Sequence, residues 1–238
     1  MLKNELKIIF SNTSVATICT ALFKKGLKNQ FIQGVSPLNS KSFNMVGLAY
    51  TVRYIPARED LNSLEVFKNP KHPQRLAIEE CPKGYVLIFD SRKDPRAASA
   101  GAILVTRLMV RGCAGVVTDG GFRDSDEIKN LEIPAYHNRP SSPTNLTLHQ
   151  AIDINTPIGC GDVAIWPNDL IVGDKEGVVV VPNEIIKEIS EEVKSMTIYE
   201  DYVTYKVQKG ATIRGLYPLT DENEKKIFEN WLRTKNND

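Results

Sequence analysis

The chain has 238 residues, 30 Lys and Arg against 29 Asp and Glu, a formal charge of +1, and 42% apolar residues. That size and apolar share give one generous domain, or one domain with appendages, with enough apolar side chain for a full core. Near-neutral charge without a basic run or stripe argues against nucleic acid as the main partner.

The N-terminal stretch MLKNELKIIFSN lacks the long apolar core of a signal peptide, and no apolar run approaches membrane-spanning length. Cys19, Cys81, Cys113 and Cys160 are scattered with no C-x-x-C pair. A zinc site or disulfide framework is not expected; a cytoplasmic protein with reduced thiols and no membrane contact is. Leu2–Phe10 reads as a short helix. Thr13–Lys25 reads as a stronger one, with Val15, Ile18, Ala21 and Leu22 on one face and Gly26 as its stop. Phe31–Phe43 is turn-rich. Val46–Ile55 is a strand ended by Pro56, Ala57–Pro73 a loop with one helical turn, and Gln74–Glu80 a short helix. Tyr85–Asp90 is a continuous apolar strand, expected to be buried on both faces. Ser91–Ala100 is a basic loop.

The stretch from Gly101 to Asp124 organises the rest. Leu104 and Leu108, like Val105 and Met109, are four apart and give one helical stripe that Gly112 ends. Ala114–Thr118 is a short apolar strand, broken by Asp119-Gly120-Gly121 and followed by Arg123 and Asp124. Ligand chemistry in α/β proteins sits just past the carboxyl ends of strands. The helix start at Gly101 adds free N–H groups suited to an anion. Ser125–Leu131 is a brief helix and Ala135–His137 a short strand. His137 and Arg139 flank the loop Asn138–Asn145, within reach of a pocket. Ile158–Ile165 and Leu170–Val172 are strands separated by Pro167-Asn168-Asp169, and Asp174–Gly177 is a hairpin turn into Val178–Val181. Pro182 and Asn183 start a long helix with Asn183 as its cap and Ile185, Ile189, Val193 and Met196 on its core face. A last helix runs from about Asp221 to Leu232, capped by Thr220 or Asp221. No internal repeat is present, and the late hairpins favour a mixed β/β/α layering over a doubly wound sheet.

The pattern G-x-x-L-x-T-R-x-x-x-R-G-x-x-G-V-V-T-D-G-x-x-R-D, with VGLAYTVRYIP before it and GCGDVAIWPNDLIVGDKEGVVVVP after it, resembles the RraA-like family. That family joins the regulator of ribonuclease E activity to class II 4-hydroxy-4-methyl-2-oxoglutarate aldolases and oxaloacetate decarboxylases. The likeness covers about residues 11–190, with 191–238 as a C-terminal helical extension of one RraA-like domain. It implies an α/β fold of the swivelling β/β/α layered type, assembled as a homotrimer or homohexamer. It also implies a divalent-metal-dependent lyase that cleaves a C–C bond of a 2-oxo acid to release pyruvate, with Mg²⁺, Mn²⁺ or another divalent metal held by Asp124. Arg123 would bind the substrate carboxylate. The backbone of Gly101, Ala102, Ile103 and Leu104 would bind the pyruvate moiety. Asp119 would hold a water that donates the proton. The alternatives are a non-catalytic protein regulator of a ribonuclease, or a lyase for a sugar-acid-derived 2-oxo acid. Members of the family usually carry Asp or Glu directly after the glycine; this chain has Ala102.

The residue types support that chemistry on their own terms. Mg²⁺ keeps several waters and needs only one or two protein carboxylates, so a lone Asp124 suffices. The Arg123 guanidinium is a planar fork matched to a carboxylate. Each residue also has a plain structural alternative. Asp124 fits the N-cap of the helix from Ser125, with Glu127 as a capping-box partner. Arg123 fits a structural ion pair, Asp119 a cap on the Gly120-Gly121 turn, and Gly101 simple helix packing.

Overall fold

The computed structural model describes residues 2–38 and 44–235. The end of the turn-rich stretch read at Phe31–Phe43 lies outside them. The chain divides into two compact units, Met1–Ser190 and Glu191–Asp238.

In chain order the first unit contains helices α1 (Asn4–Ser11) and α2 (Val15–Lys24), strands β1 (Ser36–Pro37) and β2 (Met45–Pro56), helix α3 (Pro73–Glu80), strands β3 (Tyr85–Asp90) and β4 (Ala98–Ala100), and helix α4 (Ala102–Val110). Strands β5 (Gly115–Thr118) and β6 (Gly121–Phe122), helix α5 (Ser125–Lys129), and strands β7 (Ala135–His137), β8 (Arg139–Pro140) and β9 (His149–Ile154) follow. The unit then runs through β10 (Ile158–Cys160), β11 (Val163–Ile165), β12 (Leu170–Gly173) and β13 (Val178–Val181). Helix α6 (Ile186–Gln208) begins in this unit and continues into the second, which also holds α7 (Glu222–Lys235).

The main sheet has the order β1-β7-β5-β3-β2-β12-β13, with β9 paired to the second half of β2. Its centre, β2-β3-β5-β7, is parallel, and the flanking pairs are antiparallel. Successive side chains of a strand point to opposite faces. On β3, Leu87 and Phe89 therefore join Ala77 and Ile78 of α3, Val105 and Leu108 of α4, and Ile128 of α5. Val86 and Ile88 point the other way and meet Ile158, Cys160, Val163 and Ile165 of the β10–β11 hairpin. The result is three layers, β/β/α, with the main sheet in the middle. That burial on both faces is why β3 and β13 read as unbroken apolar runs.

The strong periodic signals form as read. Ser14 caps α2 by accepting from the Thr17 N–H at 3.0 Å, and Val15, Ile18, Ala21 and Leu22 are fully buried. Gly26 and Gly112 follow α2 and α4 with φ of +84° and +75°, where glycine carries no side-chain penalty. Four readings change. Ile158–Ile165 is a hairpin of two short strands, because Gly161 and Asp162 both turn through positive φ. The basic loop before α4 ends in strand β4, and the loop after His137 contains β8; with β6 they form a separate three-stranded parallel sheet. His149–Ile154, unassigned from sequence, is strand β9. The long helix opens with a 3-10 turn at Asn183–Ile185, and Asn183 makes no side-chain cap; its N–H donates to Asp169 Oδ1 at 3.0 Å.

Within the second unit, Tyr202 and Leu216 are buried with Phe228 and Trp231 packed against them. The Tyr202 hydroxyl donates to Glu224 Oε2 at 2.8 Å, and Lys206 Nζ donates to Oε1 of the same carboxylate at 3.0 Å. Asp221 caps α7 by accepting from the N–H groups of Asn223 and Glu224.

Close backbone approach at the sheet centre gives a direct test. A Cβ at Gly47 on β2 would lie 2.6 Å from the Gly84 carbonyl oxygen and 2.9 Å from the Ala114 Cβ. Neither atom is the end of a flexible side chain. Gly47→Ala is expected to lower stability by about 1–3 kcal/mol through overpacking. Chemical denaturation checks it, and an unchanged midpoint would mean that the β2–β3 approach is looser than described.

Candidate functional site

The site is assembled by two short parallel strands. Residues Ala98 and Ala100 of β4 pair with Gly121 and Phe122 of β6, and the Arg123 N–H donates to the Ala100 carbonyl at 3.1 Å. This pairing brings the end of β6 beside the start of α4. Gly101 is the N-cap of α4, in an extended conformation and without a side-chain cap. Asp124 turns the chain sharply with φ 55° and ψ 39°, a left-handed conformation that Asp tolerates better than most residues. The turn aims its carboxylate back over the helix start, where Oδ2 accepts from the Ala102 N–H at 3.3 Å and from Arg123 Nε at 3.4 Å. The Asp124 side chain makes no capping bond to α5. The capping-box reading with Glu127 is therefore corrected: the carboxylate serves α4 and leaves α5 uncapped.

Gly101 is required here for space. A Cβ at this position would lie 2.7 Å from Asp124 Oδ2 and 2.9 Å from Arg123 Cγ. Ala102 offers its N–H to the site while its side chain is buried among the core residues of α4. The Ile103 side chain is 84% exposed at the rim, and Leu104 is half-buried.

These residues border a cleft of about 380 Å³. Its lining includes Gly101, Ile103, Leu104, Arg123 and Asp124 from the motif, and Ala98 and Ala100 of β4 behind them. The rest of the lining comes from segments that the sequence did not single out. Leu64 and Phe67 lie on a 3-10 turn, Gln74 and Arg75 on the first turn of α3, and Thr144 and Asn145 precede β9. Gln74 is buried; its Nε2 donates to the Ser99 carbonyl at 2.7 Å and to Asn145 Oδ1 at 3.2 Å, while its Oε1 has no partner. The signal was faint: four apolar residues, Leu61, Leu64, Val66 and Phe67, in an otherwise polar loop, and an arginine just inside a Pro-started helix.

Asp119 is placed elsewhere. It is buried at the carboxyl end of β5, outside the cleft lining. Its carboxylate accepts from the backbone N–H groups of Ser91 at 2.7 Å, Lys93 at 3.1 Å and Gly161 at 3.1 Å. It ties three loops together. Beside it, the hydroxyls of Ser91, Ser99 and Thr118 form a buried triangle with oxygen separations of 2.6 to 3.2 Å. His137 and Arg139 do not line the cleft either. His137 is stacked on Phe122, and burial pushes its pKa down to about 4.

Among the described residues, no three His, Cys, Asp or Glu side chains converge. Asp124 is the one carboxylate in the cleft lining. That donor set fits a hard dication that keeps waters and borrows oxygens from a ligand, and it does not fit a zinc site with its three or four nitrogen and sulfur ligands.

A β/β/α layered domain with an Arg–Asp pair folded over a glycine helix start defines an α/β protein with a cleft lined by both apolar and charged side chains. The chain belongs to the RraA-like family: the family model described as Aldolase/RraA matches residues 15–180. A relative from Halalkalibacterium halodurans, named "Putative 4-hydroxy-4-methyl-2-oxoglutarate aldolase", is 32% identical over 182 residues, covering 76% of this chain and 80% of that one. Protein DlpA of Legionella pneumophila is 23% identical over 202 residues, 85% of this chain but only 31% of its own length. The crystal structure of Streptomyces coelicolor RraAS2, described as an unusual member of the RNase ES inhibitor RraA protein family, superposes with a TM-score of 0.75 at 25% identity. The match covers 84% of this chain and 96% of that one. The expected family and fold class are thus both met.

Asp119 carries a pH signature. Burial is the largest effect on it and raises its pKa from 3.8 to about 6, against the three N–H donors that pull it down and with the Asp90 charge adding to the rise. Between those two values the folded chain binds more protons than the unfolded chain, so this group's contribution is greatest below pH 4 and is lost as pH rises through 6. The stability of wild type minus that of the non-titrating Asp119→Asn, measured by chemical denaturation, is expected to fall from pH 4 to pH 6.5. A difference that rises would show that the N–H donors outweigh burial.

Proposed function

We propose that this protein is a divalent-metal-dependent lyase that cleaves a C–C bond of a 2-oxo acid and releases pyruvate. The observation that carries the proposal is the Arg123–Asp124 pair closing over Gly101 inside the cleft. The family membership and the aldolase name of the H. halodurans relative support it.

In this reading Asp124 would hold Mg²⁺, Mn²⁺ or a similar cation. Bound there, the cation would supply Lewis-acid stabilisation of the negative charge that develops on the keto oxygen as the C–C bond breaks. Arg123 presents its fork to the substrate carboxylate. The N–H groups at the start of α4 face the same anion and place it against the positive end of the helix. Gly101 lets the ligand approach the backbone closely. Leu64, Phe67 and Leu104 supply apolar surface beside these charges. Retro-aldol cleavage also needs a base for the substrate hydroxyl, and Ala102 offers none next to the site. Oxaloacetate decarboxylation makes no such demand and is the favoured reaction. Asp119 remains a candidate for the water-mediated proton step; three backbone donors already engage its carboxylate, which makes this the weaker assignment.

Pyruvate release from a panel of 2-oxo acids, with Mg²⁺ and with chelator, tests the proposal. Oxaloacetate is expected to turn over faster than 4-hydroxy-4-methyl-2-oxoglutarate, and chelator to abolish both activities. Release from no acid by a folded sample would overturn the lyase reading and leave the protein regulator of a ribonuclease. Asp124→Asn should tolerate the left-handed turn and keep an acceptor for the Ala102 N–H, so stability should fall by less than about 1 kcal/mol. Turnover should fall at least about a hundredfold, because stabilisation of developing charge is the largest catalytic contribution. Near-normal turnover and metal affinity in Asp124→Asn would remove Asp124 from the metal site.

A further inference from the structure

The cleft lining also holds a charge without an ion pair among the described residues. Arg75 is half-buried on the first turn of α3, and its guanidinium carbon sits 4.4 Å from the centre of the Phe67 ring. Phe67 is itself held edge-on by His72, with ring centroids 5.1 Å apart. No carboxylate, carbonyl or hydroxyl takes a hydrogen bond or ion pair from Arg75 among the described residues. Other arginines of the chain are paired: Arg58 with Asp60, Arg96 with Asp94, and Arg107 with Glu79.

Most of what surrounds Arg75 works against its charge. Burial is the main cause holding its pKa below the ordinary arginine value; the nearby Tyr54 offsets part of this, and the Arg123 charge lowers it further. A cation in the first turn of a helix also opposes the helix dipole. Stacking on Phe67 returns part of that cost and fixes the guanidinium by its face, which leaves the N–H edge available to an acceptor. Gln74, the preceding residue, adds a buried Oε1 without a donor. The lining therefore carries two guanidinium groups against one carboxylate.

From this stacked arginine without an ion pair, lining the same cleft as Arg123, we infer that Arg75 is a specificity-determining residue that binds a second anionic group of the substrate. The inference rests on the 2-oxo acid reading for the near end of the ligand. Arg123 and the α4 N-terminus take the 2-oxo acid carboxylate; Arg75, elsewhere in the same lining, takes the second anionic group and selects diacids over monoacids. A charge-assisted fork of this kind is worth enough to change affinity on the order of tenfold or more.

Two acids of equal length separate the possibilities, 2-oxoglutarate and 2-oxopentanoate, which differ only in a terminal carboxylate against a methyl group. Their binding is measured by calorimetry in Mg²⁺, without reliance on turnover. Wild type is expected to bind 2-oxoglutarate about tenfold tighter or better, and Arg75→Gln to remove that preference while leaving 2-oxopentanoate within about twofold. Arg75→Lys, which keeps the charge and loses the planar fork, should retain part of the preference. Arg123→Gln should weaken both acids together. Equal affinity of the two acids for wild type, failure of both to bind, or equal weakening of both by Arg75→Gln in samples of unchanged melting temperature would overturn the inference. A protein that shows the preference yet cleaves no 2-oxo acid would keep this assignment and lose the lyase reading, so the two fail separately.

Discussion

A β-carbon at Gly101 would collide with the carboxylate of Asp124 and the Arg123 side chain at once, at 2.7 and 2.9 Å. The free backbone edge of α4 is the floor on which the Arg–Asp pair rests, and only a residue without a side chain provides it. The left-handed turn at Asp124 is the complementary half of this arrangement. A right-handed backbone there would send the carboxylate elsewhere, and the Ala102 N–H would lose the acceptor that it has at 3.3 Å. Strain of this kind persists where the surroundings over-determine it, and here the β4–β6 pairing on one side and α5 on the other hold the turn in place.

The small three-stranded sheet makes this geometry possible, and polar contacts anchor it beside the apolar burial of Ala100 and Phe122. The buried hydroxyl triangle of Ser91, Ser99 and Thr118 links the end of β3, the middle of β4 and the end of β5. The carboxylate of Asp119, one residue past β5, ties the loop after β3 to the β10–β11 turn. A buried network with its members satisfied fixes one arrangement, because any displacement strands a polar group in a low dielectric. The main sheet thus supplies the stability of the domain, and this polar knot supplies the registry of the cleft.

How much of this was legible in the sequence depended on distance along the chain. Helices α2 and α4 and strands β3 and β5 carry their own periodicity and stop signals, so they could be read locally. Gly101, Ile103, Leu104, Arg123 and Asp124 fall within one stretch, and the structure brings them to one cleft. Strands β4, β6 and β8 were not legible, since two or three residues carry no period and exist only because their partners are present. The rest of the lining was invisible for the same reason. Nothing in the sequence around Phe67 and Arg75 indicates that they share a cleft with a turn some fifty residues downstream. The capping alternative for Asp124 fails although Asp before a Ser-started helix is a good capping pattern; the backbone turns its side chain toward α4, and φ cannot be read from residue type.

The arginines show where this protein accepts a cost. Arg107 forms a forked pair with Glu79 on the exposed face of α4, at 2.8 to 3.2 Å, a contact that contributes little but leaves no charge unbalanced. Arg123 reaches Asp124 only through Nε at 3.4 Å, a poor geometry for a carboxylate–guanidinium pair. Arg75 has no such partner and sits at the unfavourable end of its helix. A fold selected for stability alone would neutralise these two charges, as it neutralises Arg58, Arg96 and Arg107. Both line one cleft, with Asp124 as the carboxylate in the same lining. Imbalance that is local, positive and directed at an opening is what a site for a multiply charged anion requires before its ligand arrives.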